Sequence, residues 1–351
     1  MIHFCTLFDQ GFLGRGLLLL ESLREHCPNF HLHILGLDDH VYDYFLTYPD
    51  PRVTPVRLAE LERTAPELQQ CKQNRSQVEY YFTLSPYFPQ YILNQTPALE
   101  LVCSIDADLY FFSDPTPLFS DFFRYSILIT RHHFADGEES EKATGHFNVC
   151  FQAFRNDATG RACLEKWRSQ CAAWCYNHFD EEHNRFADQK YLDSWPQDYA
   201  GKVKIIGDAT TNLAPWNTNR YIITERQGKV FSDENPLVFF HFSGIRILNW
   251  HWIANSFHWY GTRPQKTLLK HVYGTYLTRL IQMETHLARI GSGRRHVRSS
   301  VTHLIELLSA LIKNKAVFYR TKSGRLLYFN FGKIHLITQS IRRSAWLNLF
   351  P

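Results

Sequence analysis

An apolar run that stops on two carboxylates constrains this chain more than any other feature. Residues 99–105, Leu-Glu-Leu-Val-Cys-Ser-Ile, lead directly into Asp106-Ala107-Asp108. So short an apolar run reads as a buried strand. In extended backbone, residues i and i+2 point to the same side, so Asp106 and Asp108 face one way. Two carboxylates ending a buried strand repel each other and are costly there unless paired or bridged by a cation. A hard divalent ion, Mg²⁺ or Mn²⁺, takes oxygen ligands and keeps positions open for phosphate oxygens. Asp106 and Asp108 are therefore candidate metal ligands.

The rest of the chain supplies the setting. Strand patterns cover 2–8, 30–38, 53–58, 125–130, 147–154, 203–207 and 236–242. Helical patterns cover 17–26, 76–93 (interrupted by Pro86 and Pro89) and 157–175, and the glycine-rich stretch 9–16 reads as a loop. Strands alternating with helices predict an α/β sandwich with a mostly parallel central sheet. In such sheets ligands bind beyond the carboxyl ends of the strands. The polar residues at those exits are Asp9, Asp38, Asp106, Asp108 and His241.

Composition narrows the class. With 44% hydrophobic and 21% charged residues the chain is globular, not disordered. No apolar run reaches the ~18–20 residues of a membrane span, and Asp9 with no basic start argues against a signal peptide. Eight scattered cysteines then read as reduced core thiols in a cytoplasm. Cys163, Cys171, Cys175, His178 and His183 lack a CxxC pair and match no closed zinc site. Charge is uneven. Residues 285–351 carry twelve Lys/Arg against Glu306, a net of +11, while the remaining 284 residues net −7. Within that tail, 301–312 has apolar residues at helical spacing, flanked by Arg294, Arg295, Arg298, Lys313 and Lys315. This is the pattern of an interfacial helix on an anionic membrane surface, or of a helix packed on the body. No nucleic-acid module is recognisable. The expected division is a catalytic domain over 1–261 and a helical, basic C-terminal extension over 262–351.

The segment Ser104-Ile-Asp-Ala-Asp-Leu-Tyr-Phe-Phe-Ser-Asp-Pro115 resembles the DxD segment of GT-A nucleotide-sugar glycosyltransferases, in particular glycosyltransferase family 8. Further pieces follow in the family's order: Thr6-Leu-Phe-Asp9, Arg75-Ser76 before a helix, Phe147-Asn148-Val149-Cys150, Ala187-Asp188-Gln189-Lys190 and His241-Phe-Ser-Gly244. The resemblance covers about residues 1–250. It implies a GT-A, Rossmann-like fold and transfer of a hexose from a nucleotide-diphospho-sugar, UDP-sugar favoured, with retention at the anomeric carbon. The acceptor it suggests is a cell-surface glycan or lipid-linked saccharide, on the inner membrane face. His241 would join Asp106 and Asp108 on Mn²⁺ or Mg²⁺. Thr6, Phe8, Asp9, Arg75, Asp106, Gly244 and Arg246 would hold the nucleotide, Phe8 or Tyr81 stacking on the base. Asn148, Asp188 and Gln189 would grip the sugar. The chain departs from the family where Val-Cys follows Asn148 and where Ile245-Arg246 follows Gly244.

Other readings stand beside these. A basic loop with Gly11, Gly14, Arg15 and Gly16 faintly echoes a nucleotidyltransferase. A non-catalytic glycan- or membrane-binding protein on a degenerate fold is the third class. Trp216 is a candidate acceptor platform, and Glu138, Glu139, Glu141, His132 and His133 lie in a loop able to cover the site and to supply the general base an inverting enzyme needs.

Overall fold

The computed structural model describes residues 1–135, 137–247, 252–293, 317–321, 325–330 and 333–338. The amphipathic stretch 301–312 and its flanking Arg294, Arg295, Arg298, Lys313 and Lys315 lie outside the described residues.

From the amino end the chain forms β1 (Ile2–Phe8), α1 (Leu13–His26), β2 (Phe30–Gly36), α2 (Asp39–Thr47) and β3 (Val53–Arg57). Four short helices follow: α3 (Leu58–Thr64), α4 (Leu68–Asn74), α5 (Gln77–Leu84) and α6 (Tyr87–Gln95). Next come β4 (Leu101–Ile105), β5 (Leu109–Phe111), β6 (Ile127–Arg131), α7 (Glu138–Thr144), β7 (Phe147–Arg155) and α8 (Ala158–Ala173). A small ribbon, β8 (Phe179–Asp180) with β9 (Arg185–Phe186), precedes α9 (Trp195–Asp198) and β10 (Val203–Ile206). Beyond these lie β11 (Ile223–Arg226), β12 (Lys229–Ser232), β13 (Asn235–Pro236), β14 (Phe239–His241), β15 (Arg246–Ile247) and β16 (Trp252–Ala254). A π-helical segment, Leu268–Tyr273, runs into α10 (Gly274–Arg289), and β17 (Val317–Arg320), β18 (Leu326–Asn330) and β19 (Lys333–Thr338) complete the described chain.

Seven strands make the central sheet in the order β10-β6-β7-β4-β1-β2-β3. β7 alone runs against the others, pairing antiparallel with β4 and β6, while the remaining neighbours pair in parallel. The fold is thus α/β with a mostly parallel sheet, as the strand–helix alternation predicts.

Alternation along β1 distributes its side chains between two cores. Phe4 and Phe8 belong to the cluster that packs α1 and α10, whereas Cys5 belongs to the cluster containing Tyr87, Phe88, Trp167 and Trp195 under α5, α6 and α8. Each fully buried aromatic of this kind contributes roughly 1.5–3 kcal/mol. Tyr276 of α10 stacks on Phe242 at 3.7 Å, joining α10 to the segment after β14.

Local chemistry sets the helix ends. Asp38 caps α2 by accepting from the Val41 amide, and Asp157 caps α8 through Gly160. Ser76 and Glu79 form a capping box at the start of α5. The helix expected over 76–93 is two helices that meet at Ser85-Pro86, because Pro86 has no amide to donate. The stretch 9–16 is only partly a loop: α1 begins at Leu13 and carries Gly14, Arg15 and Gly16 in its first turn. All eight cysteines are buried free thiols. The zinc arrangement does not assemble: Cys163 and Cys171 lie in the core, His178 packs on Trp174 and Tyr176, and His183 pairs with Asp180. Among the described residues no helix is long and apolar enough to cross a membrane.

Candidate active site

β4 is a central strand, paired with β1 on one side and β7 on the other, so its carboxyl end is rigidly placed. Asp106 follows it directly, its amide donating to the Cys150 carbonyl of β7 at 3.0 Å. A tight turn, Leu109 N–H to Asp106 O at 3.2 Å, carries the chain through Asp108 into β5. β5 then pairs antiparallel with β14, with His241 opposite Leu109, and the Phe242 amide donates to Asp108 O at 3.0 Å. This three-residue ribbon is what brings an imidazole from about 130 residues further along the chain beside the two aspartates.

His241 Nε2 lies 3.1 Å from Asp108 Oδ1 and 3.6 Å from Asp106 Oδ2. One ligand atom from each of the three residues falls within 4.8 Å of the others. Adjacent ligands of an octahedral ion, at about 2.1 Å from the metal, are about 3 Å apart, so the spacing fits a divalent cation. The donor set of two carboxylates and one imidazole suits Mn²⁺ or Mg²⁺, and three protein ligands leave positions for a phosphate. The electrostatics agree. Burial, partly countered by His241 and reinforced by Asp108, pushes Asp106 up to about 6. Burial would also raise Asp108, but the charge and hydrogen bond of His241, helped by Arg15, hold it below the usual carboxylate range. Burial opposes charging of His241, yet the two aspartates raise its pKa.

The trio lies on the wall of a cavity of about 430 Å³. At one end the exits of β1 and β2 contribute Thr6, Phe8, Asp9 and Leu37, with Tyr81 from α5. Asp9 Oδ1 accepts from the Gly11 amide at 2.9 Å, and the Tyr81 hydroxyl, 3.3 Å from Asp9 Oδ2, lies 2.6 Å from Gln77 Nε2. Phe8 is 3% exposed and its ring packs in the core against Gly16 and Phe45, so of the two expected stacking residues Tyr81 is the one available to a ligand, with the exposed Phe12 also lining the cavity.

At the other end lie Asn148, Asp188 and Gln189. Asp188 is held by a strained approach: Ala187 has φ 47°, in the left-handed region, and its amide donates to the Tyr176 carbonyl. The Trp167 indole donates to the Asp188 carbonyl at 2.8 Å. Burial pushes the Asp188 carboxyl up to about 7, and its Oδ2 is buried without a hydrogen-bond partner. A buried, unpartnered acceptor on a cavity wall is a group awaiting a donor.

Three expected nucleotide-binding residues, Arg75, Gly244 and Arg246, are not among those lining the cavity. The Arg75 guanidinium is buried between α5 and α8, donating to the Thr83 hydroxyl and, at 2.7 Å, to the Ala172 carbonyl at the end of α8. Its direction is set by a helix-terminal carbonyl, which also accepts from the Cys71 thiol, and by the Thr83 hydroxyl. Arg246 is exposed on β15, over the Trp259 ring at 5.5 Å. Gly244, at φ 76°, is off the wall, and a Cβ there would meet Ser256 at 2.6 Å; its neighbour Ser243 lines the cavity instead. Trp216 is 3% exposed, its indole donating to the His132 carbonyl, which leaves no platform for an acceptor.

Arg15 and His132, read from the sequence as part of a faint phosphate-loop echo and of a covering loop, are instead both buried beside the site. Arg15, buried in α1, donates to the Ile245 carbonyl at 2.8 Å and ties that helix to the segment after His241. His132 is buried behind Asn148, with Nε2 2.9 Å from the Asn148 amide nitrogen. The nearby Phe134 was the available sign in the sequence that this histidine is internal; its packing on Trp216 emerges only in the fold.

No family model matches the chain. Among solved structures, mouse xyloside xylosyltransferase 1 in its apo form is similar over 69% of this chain and 98% of its own, at 16% identity and a TM-score of 0.46. The galactosyltransferase LgtC, in complex with donor and acceptor sugar analogues, is similar over 69% of this chain and 87% of its own, at 13% identity and the same TM-score. In sequence, the "Uncharacterized protein YfnD" of Bacillus subtilis (strain 168) is 32% identical over 281 residues, which span 79% of this chain and 88% of YfnD. With that identity sustained over most of both chains, this protein belongs to the YfnD family.

Proposed function

We propose that this chain is a metal-dependent glycosyltransferase of the GT-A type. It moves a hexose from a nucleotide-diphospho-sugar, UDP-sugar favoured, to a glycan or lipid-linked acceptor with retention of configuration. The observation that carries this reading is the convergence of Asp106, Asp108 and His241 on the wall of one cavity, at the end of β4, which lies between β7 and β1 in the sheet. On one side lie Asp9 and Tyr81, suited to a base and ribose; on the other lie Asn148, Asp188 and Gln189, suited to hydroxyls. That layout matches a ligand with a diphosphate between two polar ends.

Asp106, Asp108 and His241 would hold Mn²⁺ or Mg²⁺, which when bound supplies Lewis acidity to the leaving diphosphate. The chain's own groups do the rest. Tyr81 and Asp9 fix the nucleotide end, and Asp188 with Gln189 hold the sugar so that its anomeric carbon is presented in one orientation. The cavity wall excludes water from the leaving oxygen, where fixed dipoles act most strongly. We further propose a catalytic domain over 1–261 and a basic extension over 262–351 that contacts an anionic, inner membrane surface.

The test is release of nucleoside diphosphate from UDP-, GDP- and TDP-sugars with and without Mn²⁺. Metal-dependent release from wild type, abolished in Asp108→Ala with an unchanged circular dichroism spectrum, is the expected result. Full activity in Asp108→Ala removes the metal assignment. Release of pyrophosphate would instead identify a nucleotidyltransferase.

A further inference from the structure

Two of the three polar residues at the sugar end are primary amides, and an amide can present either its oxygen or its nitrogen. Here the backbone decides which. Gln189 Nε2 donates to the Thr144 carbonyl at 2.8 Å, which leaves Oε1 as the free end. Asn148 Oδ1 accepts from the Cys150 amide at 3.0 Å, so the opposite end of that side chain is nitrogen. That nitrogen meets His132 Nε2 at 2.9 Å. An amide nitrogen can only donate, so Nε2 of His132 is bare and the ring proton sits on Nδ1. The Gly145 carbonyl, 2.8 Å from Nδ1, is there to accept it. Each bond forces the next.

The ring is well fixed in this role. His132 is 2% exposed, stacked on Phe134 at 4.6 Å and edge-on to Trp216 at 5.6 Å. Its own carbonyl accepts from the Trp216 indole and from Asn217 Nδ2. Burial drives its pKa down to about 3, so the imidazole is neutral. The carbonyl of residue 145 reaches it because Gly145 has φ 107°, and a Cβ at that position would press on Lys190 Cα and Asp193 Oδ1, both at 3.3 Å.

We propose that His132, held as its Nδ1–H tautomer by the Gly145 carbonyl, is a positioning residue that locks Asn148 with its second N–H turned to the cavity, selecting a sugar hydroxyl that offers its oxygen there. The inference rests on the reading of the cavity as a nucleotide-sugar site. Consecutive carbonyls, Thr144 and Gly145, thereby set the two amides in opposite senses. Asn148 donates, whereas Gln189 Oε1 and the unpartnered Asp188 Oδ2 accept. The subsite is matched to a polyol edge in which one hydroxyl accepts while its neighbours donate, and a reversed Asn148 would be mismatched to it.

Three measurements test this. Long-range ¹⁵N–¹H correlation, with the His132 signal assigned by its loss in His132→Phe, shows the ring proton on Nδ1 at pH 7; a proton on Nε2 overturns the proposal whatever the enzyme's activity. Calorimetry with Mn²⁺ then compares a nucleotide-sugar with its sugar-free nucleoside diphosphate. In His132→Phe the nucleotide-sugar binds about tenfold more weakly while the bare diphosphate binds as in wild type. Equal weakening of both, or of neither, overturns the positioning role. His132→Gln, whose carbonyl can accept from Asn148, recovers part of the loss; no recovery beyond that of His132→Phe also counts against it. A wild-type protein that binds no UDP-, GDP- or TDP-sugar removes the functional reading itself, and the inference with it.

Discussion

Asp188 combines a carboxylate, near-complete burial and a vacant acceptor oxygen, and this makes its protonation state consequential. Burial pushes its pKa up to about 7. If Asp188 accepts from a sugar hydroxyl, only the ionised form binds well, so kcat/KM rises with pH through about 7 and levels above it. In Asp188→Asn the limb near 7 disappears and kcat/KM falls on the order of 10²-fold, the scale of a lost positioning contact. A pH–rate profile of both proteins from pH 5.5 to 8.5 checks this; an unchanged limb in Asp188→Asn would assign it to another group. The contrast with Arg75 shows which residues were legible in the sequence. Asp106, Asp108 and His241 sit at strand ends, where the side-chain direction follows from the strand and the sheet. Arg75 and Phe8 were placed near the cavity by chain order, but their side chains turn toward the Ala172 carbonyl and Gly16, partners that no local pattern announces.

At the scale of elements, α1 is where local propensity and tertiary packing disagree. Gly14 and Gly16 lower the helix propensity of its first turn by about 1 kcal/mol each, which is why 9–16 reads as a loop. The structure supplies the reason for each glycine. A Cβ at Gly16 would lie 2.4 Å from the Phe8 ring, a rigid group buried in the core at the exit of β1. A Cβ at Gly14 would lie 2.4 Å from Glu284 Oε1, the far end of a flexible side chain. Gly16→Ala should therefore destabilise by about 1–3 kcal/mol through overpacking, whereas Gly14→Ala should be within about 1 kcal/mol of wild type. Urea unfolding of the two variants ranks them; the reverse order would show that the helix start, not the Phe8 contact, decides. The β5–β14 ribbon is a different limit. Its strands are three residues long and about 130 residues apart, so periodicity could mark His241 as strand-terminal but could not pair it with Leu109.

For the molecule as a whole, buried titratable groups outside the site set opposing slopes on stability against pH. His3, His31 and His33 pack together at the amino ends of β1 and β2, away from the carboxyl-end cavity, with ring centroids 4.9–5.4 Å apart. Burial, with their mutual repulsion, lowers His3 and His33, and His33 falls to about 3; burial also lowers His31. Below 6.5 the unfolded chain takes up protons that the native cluster refuses, so stability present above pH 6.5 is lost as the pH falls toward 3. Glu21 in α1 acts the other way. Burial, opposed by Arg279, raises it from 4.5 to about 7, and its Oε2 is buried without a partner. The native state there holds a proton that the unfolded chain releases, so its contribution is present below pH 4.5 and lost as the pH rises to 7. Between about 4.5 and 6.5 the two slopes offset each other. Replacing one side should expose the other: Glu21→Gln is expected to raise stability at pH 8 by roughly 1–3 kcal/mol and to leave it near wild type at pH 4.5. His33→Gln should instead flatten the acid limb below pH 6.5 without changing the slope above it. Denaturant unfolding of wild type and both variants at pH 4.5, 6 and 8 separates the two terms. A Glu21→Gln gain equal at all three values would mean that the carboxyl costs stability by shape alone, and that its charge in α1 is already matched by Arg279.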